Sequence, residues 1–152
     1  MDKEAKSMDI MSTLRKPAVW MILFASLHTL GFSLDVVSAV TDDDEISTYL
    51  ENEIDPEIAD NQKLIDTVQE ENLFSWGFAM MWSVVLFGGA FWLKGSEQAK
   101  LSLIFGSGMI GFGLIMGYSG VMFYDGYDFE VLMGSVIFGT PMIVTGYLNL
   151  EE

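Results

Sequence analysis

The sequence contains no cysteine, one histidine (His28), three prolines and only seven lysine or arginine residues. Without cysteine there is no disulfide, no thiol nucleophile and no thiolate-held metal. A single histidine leaves the multi-histidine metal, haem and copper sites without a ligand set, so no cofactor and no resident metal are expected in this chain. His28 has no serine partner identifiable by spacing, no glycine-rich phosphate loop follows a strand, and the few bases form no stripe. Catalysis by the chain alone is therefore not expected, and neither is nucleic-acid binding.

What is present is apolar and acidic. Of 152 residues 51% are hydrophobic and the net charge is −15, with a mean hydropathy of +0.35. The apolar residues are gathered into four blocks, at 17–40, 72–93, 101–123 and 131–150. About 20 apolar residues cross the ~30 Å hydrocarbon core of a bilayer, so each block is read as a transmembrane helix. Between them lie a tail at 1–16, an acidic segment at 41–71, a loop at 94–100 and a second loop at 124–130.

Charge placement orients these spans. Twelve of the 22 acids fall between Asp42 and Glu71, against Lys63 alone. The other bases, Lys3, Lys6, Arg15, Lys16, Lys94 and Lys100, sit in the tail and in the 94–100 loop. Bases accumulate on the cytoplasmic side, which places both termini inside and the acidic segment outside a plasma membrane. Arg15-Lys16, the run 18–34 and Val37-Ser38-Ala39 also match the layout of a signal peptide. The run is longer than a usual signal core and Asp35 falls near its end, so we read it as a retained span.

The connecting segments carry their own patterns. Met8, Met11 and Leu14, with Ile10 beside them, recur at helical spacing and suit either a short surface helix or a frayed end. Pro17 suits a first helical turn. Ile46, Tyr49, Leu50 and Ile54 mark one amphipathic helix, interrupted at Asp55-Pro56. Asp55 can cap a second helix with Pro56 at its first position and Ile58, Leu64, Ile65 and Val68 on its apolar face. Short links between the later spans make an all-α, up-down-up-down four-helix transmembrane bundle the expected fold, with a short helical acidic hairpin outside. Trp20, Trp92, Tyr118, Tyr124, Tyr127 and Tyr147 lie where an interfacial belt is expected, while Trp76 and Trp82 lie deeper and are expected to face lipid, with stacking on a pigment or quinone as the alternative.

Helices associate in lipid through small residues that let backbones approach. On the third span Ser102, Gly106, Gly113, Gly117 and Gly120 form one stripe, and Ser107 with Gly111 form a second, displaced around the helix. The fourth span repeats the device with Ser135, Gly139 and Gly146, and the second contributes Ser75, Ala79 and Ser83. These stripes are expected to pack inside one bundle, or else to serve a homo-oligomer or other membrane subunits.

Ionisable groups inside a membrane are costly and raise a functional question wherever they occur. His28 and Asp35 are the two here, seven residues apart on one face of the first span and about 10 Å apart along its axis. They are either a proton or ion relay, linked by water or Ser38, or an interfacial acid and a neutral, hydrogen-bonded histidine. Registering Asp42 as the first position of a calcium loop puts Ile46 and Ser47 at the ligand and glycine positions, so the match fails. Asp125, Asp128 and Glu130 are at most a weak surface cation cluster. An acidic rim of this kind concentrates cations at the outer face, and a saline habitat would favour the same composition.

His28-Thr29-Leu30-Gly31 in the first span resembles a group of small four-span prokaryotic membrane proteins with a His-x-x-Gly-His type motif, and Phe32 stands here where the second histidine would be. The stretch Phe74-Ser75-Trp76-Gly77-Phe78 is similar to that group's entry to its second helix. The layout is also broadly similar to DoxX-like proteins, some of which are linked to quinone-coupled redox complexes. Three roles are therefore carried forward: a non-catalytic accessory subunit or homo-oligomer, a small channel or transporter built around His28 and Asp35, and an accessory redox subunit.

Overall fold

The computed structural model describes residues 10–41, 43–123 and 129–151. All regular structure among them is helical. Residues 10–14 form a short helical stretch, followed by α1 (Pro17–Thr41), α2 (Asp43–Glu53), a 3-10 turn (Pro56–Ile58), α3 (Gln62–Trp92), α4 (Gly95–Phe123) and α5 (Phe129–Leu148). Four of the helices, α1, α3, α4 and α5, are long and apolar enough to cross a membrane, which marks the chain as a multi-pass membrane protein.

The contacts divide the chain into two compact units. One comprises the described residues up to Phe24 together with those from Leu86 onward; the other is Ala25–Val85. In the first unit Phe24 of α1 meets Phe138 of α5 edge-on at 5.4 Å and Phe105 of α4 at 6.0 Å. A Cβ added at Gly89 of α3 would strike Leu101 of α4 and Met21 of α1. Met21, Leu86 and Met142 are the largest apolar side chains sealed from solvent.

The ends of this unit are held by side chains that find backbone carbonyls. Only Leu93 and Lys94 separate α3 from α4, a tighter link than the 94–100 loop expected from the sequence. Gly95 takes φ 55, a left-handed turn that ends a helix without a Cβ clash. The Gln98 amide then donates to the carbonyls of Gly89, Ala90 and Leu93 at 3.0–3.1 Å, satisfying the final turn of α3. Asn149 donates to the Arg15 carbonyl at 3.0 Å and to Thr145 at 2.7 Å, and the Trp20 indole donates to Leu14 at 2.8 Å. The stretch before α1 is thereby tied to the residues just after α5. Ile10, Met11 and Leu14 are exposed on the helical stretch, and Met8 lies outside the described residues.

In the second unit α2 packs on the start of α3 through Ile46, Leu50 and Ile65, flanked by Leu64 and Val68. Tyr49 and Ile54 are exposed, so the apolar face of α2 is narrower than its spacing suggests. Asp55 is extended (φ −162, ψ 122) and its carboxylate accepts from the Glu57 N–H at 2.9 Å, with Pro56 in the first position. The element it caps is a single 3-10 turn. The helix proper begins at Gln62, with Asn61 accepting from the Leu64 N–H, and runs without interruption through the second apolar block.

Candidate functional site

Two features hold the chemistry of this chain: a close-packed seam between α4 and α5, and a polar face on α1 and α3.

The seam is built from glycines, each receiving a side chain of the facing helix. A Cβ at Gly106 would lie 2.6 Å from the Gly139 carbonyl and 2.9 Å from the Met142 Cβ. One at Gly139 would lie 2.8 Å from the Gly106 carbonyl and 2.9 Å from Ile110. Gly113 takes Ser135, and Gly146 takes Leu103, with the Ala99 carbonyl 2.7 Å from where its Cβ would be. The Ser102 hydroxyl crosses the seam to the Met142 carbonyl at 2.9 Å and is sealed from solvent. These pairs run in opposite directions along the two helices, so α4 and α5 are antiparallel. No side chain larger than hydrogen fits at the glycines without moving backbone. Gly117 and Gly120 continue the buried stripe on α4.

Pro141 lies inside α5 and carries no signal in the small-residue spacing. It removes one backbone donor from the helix, and the Thr145 hydroxyl bonds the Pro141 carbonyl at 2.8 Å one turn on.

The second small face of α4 is different. A Cβ at Gly108 or at Gly111 would meet nothing within 4 Å, and Ser107 is exposed beside them. Ile104 and Ile115, at the same helical phase, are 67% and 70% exposed. Among the described residues nothing covers this face, a shallow apolar trough floored by glycine with an isoleucine at each end.

On α1, His28 is half-buried and meets the Phe32 ring edge-on at 4.6 Å. Phe32 thus packs on the imidazole one turn further along the same helix. Ser33 accepts a hydrogen bond from the Trp76 indole at 3.3 Å, joining α1 to α3. Trp76 is therefore half-buried and bonded between helices, which corrects the lipid-facing expectation; Trp82 is 38% exposed. Thr29 and Ser83 carry buried hydroxyl oxygens with no hydrogen-bond partner. Asp35 lies in α1 two turns beyond His28, and its side chain, like that of Ser38, is outside the described residues.

No group of three or more potential metal ligands occurs among the described residues. Of the surface cluster, Asp125 and Asp128 are outside the described residues and Glu130 is exposed in the first turn of α5. Trp92 (84% exposed), Tyr118 and Tyr147 are exposed near helix ends. Lys100 pairs with Glu97 at 2.7 Å, one turn apart on α4. The signals that spacing misses are the cross-seam bond of Ser102, the Gln98 cap and the orphaned hydroxyls.

No family model, no curated protein and no solved structure matches the chain.

Proposed function

We propose that this chain is a small integral protein of the plasma membrane that acts as a non-catalytic accessory or structural subunit of a membrane complex, or as a homo-oligomer. In this reading it is an up-down-up-down four-helix bundle with both termini cytoplasmic and the acidic helical segment outside. The placement of six bases in the tail and the second connection supports that orientation. The proximity of Arg15 to Asn149 suits an even number of crossings. The DoxX-like resemblance is compatible with the plan and contributes only the plan.

The observation that carries the reading is the contrast between the two faces of α4. The inner stripe is used up by α5, whereas Gly108 and Gly111 leave a trough that no described residue fills. A second helix can approach such a trough as closely as α5 approaches the inner stripe. The test is mass measurement after purification in mild detergent, for wild type and for Gly108→Leu with Gly111→Leu. An assembled wild type that falls to monomer in the double variant, with unchanged helicity, supports the proposal. A monomeric wild type without companions overturns it.

A channel or relay reading is favoured by His28, a titratable group half-buried inside a span. Proton or cation flux in liposomes decides it: wild type must exceed His28→Ala and Asp35→Asn, and equal background flux in all three removes it. The redox-subunit reading requires a visible absorbance band in the purified assembly, and its absence removes that reading.

A further inference from the structure

The contacts of the first unit gather four helix ends at one pole. Met21 of α1 and Leu101 of α4 both reach Gly89 of α3. Gly146 of α5 lies against the Ala99 carbonyl and Leu103 of α4. The Asn149 amide, just past α5, holds the Arg15 carbonyl, just before α1. The start of α1, the end of α3, the start of α4 and the end of α5 therefore share this pole.

Its described charges are mostly basic. Arg15, Lys16 and Lys94 are exposed there, and none of them is ion-paired among the described residues. Lys100 is held by Glu97 at 2.7 Å, which leaves Glu151 as the one other described acid at this pole. Asp2, Glu4 and Asp9, with Lys3 and Lys6, precede the described residues, and Glu152 follows them. The seventh base, Lys63, lies in the acidic segment of the second unit.

Apolar groups frame these bases. Trp92, the last residue of α3, is 84% exposed, and its ring lies back along its own helix over Gly88. Leu93 follows it, and Ile10, Met11 and Leu14 are exposed on the approach to Arg15. Exposed tryptophan and aliphatic groups next to unpaired bases suit the headgroup boundary of a bilayer. There rings and alkyl stems sit at the acyl edge while the charges reach outward.

We propose that this pole selects anionic phospholipids, with Arg15, Lys16 and Lys94 meeting their phosphodiester headgroups at the membrane surface. A chain of net charge −15 repels anionic lipid elsewhere, so these bases mark where such lipid approaches. Each base at an anionic surface contributes roughly a fivefold preference. Arg15 and Lys16 act on one patch of headgroups and Lys94 on its own, so no single lipid has to span them. The inference rests on the chain being a membrane protein and is independent of the assembly proposed above.

The test is native mass spectrometry of the full chain released from detergent containing equal amounts of phosphatidylglycerol and phosphatidylcholine. Wild type should keep the anionic lipid about fivefold or more over the neutral one. Arg15→Gln, Lys16→Gln and Lys94→Gln together should bring that ratio to about one, while Lys63→Gln leaves it within about twofold of wild type. Raising ammonium acetate from about 0.1 to 1 M shortens the screening length from about 10 to 3 Å and should bring the wild-type ratio toward one. Equal retention of the two lipids by wild type overturns the proposal. So does a preference that survives in the triple variant or at high salt, or that falls as far in Lys63→Gln. A monomer that still prefers phosphatidylglycerol supports this inference while ending the assembly proposal.

Discussion

Replacing Gly106 with alanine adds one methyl group where the backbones of α4 and α5 approach most closely at a seam glycine. That carbon would begin 2.6 Å from the Gly139 carbonyl oxygen, 2.9 Å from the Met142 Cβ and 3.0 Å from the Ile143 amide nitrogen. Two of the three obstacles are backbone, so no rotamer change relieves them. The helices must separate by roughly 0.7–0.9 Å to reach ordinary contact distances of about 3.5 Å. A gap of that size forfeits a quarter to a half of each dispersion contact it opens. It also stretches the Ser102–Met142 bond, one turn away, beyond its present 2.9 Å. Overpacking of this sort costs about 1–3 kcal/mol, and a weakened interhelical bond adds about 0.6 kcal/mol. Together these come to about 1.6–3.6 kcal/mol, and the helix-propensity gain of any Gly→Ala change, up to about 1 kcal/mol, leaves a net loss of about 1–3 kcal/mol. Gly108→Ala is the control, because it gains helix propensity worth up to about 1 kcal/mol and meets no atom. Equilibrium unfolding in mixed micelles, followed by tryptophan fluorescence, measures both. Gly139→Ala should cost a similar amount, and the Gly106/Gly139 double variant should cost less than their sum, since one separation accommodates both methyls. If Gly106→Ala and Gly108→Ala have equal stability, the close-packed seam is wrong.

Three further outcomes rest on the capping and crossing contacts. Ser102→Ala should cost about 0.6 kcal/mol, with roughly 1.7 as the upper bound, in the same unfolding assay, since it removes the bond to the Met142 carbonyl. Gln98→Ala leaves three carbonyls of α3 without their side-chain donor and should cost about 1 kcal/mol; faster hydrogen exchange in the last turn of α3 and the first of α4 locates the loss. Asn149→Ala frees the Arg15 carbonyl, so trypsin should cut after Arg15 several times faster in intact protein, while cleavage elsewhere is unchanged.

The four apolar helices are legible in the sequence because each carries an apolar run of 18 residues or more with few charges, and in a bilayer that length decides the matter. The Asp55-Pro56 break is equally legible, since the pre-proline restriction acts on the residue itself. The stretch after Pro56 is less so. Whether Asp55 caps one turn or a whole helix depends on Asn61, which offers a better-placed cap a few residues later. The polar run from Lys94 to Lys100 reads as a seven-residue link, yet polar residues continue a helix readily. Gln98 is there to bond the preceding helix end, a tertiary role that composition does not announce. The same holds for Trp76: its depth in the span suits a lipid-facing ring until Ser33 supplies a partner for the indole.

The candidate sites divide along the same line. Spacing can say that a stripe of small residues exists, but two stripes on one helix are equivalent until something fills one of them. On α4 the deciding partners are the side chains of α5. Met142 and Ser135 seat on Gly106 and Gly113, and in return Gly139 and Gly146 receive Ile110 and Leu103. The reciprocity selects the phase of 102, 106 and 113, because only that face alternates holes with knobs that α5 can accept. The trough at Gly108 and Gly111 has holes and an isoleucine at each end but no complementary helix among the described residues. Filling it with leucine should therefore leave the fold intact and remove whatever assembles there, whereas the same change at Gly106 should unfold the seam first. A Gly108→Leu, Gly111→Leu chain that loses its own helicity or stability would place that face inside the bundle and end the assembly proposal.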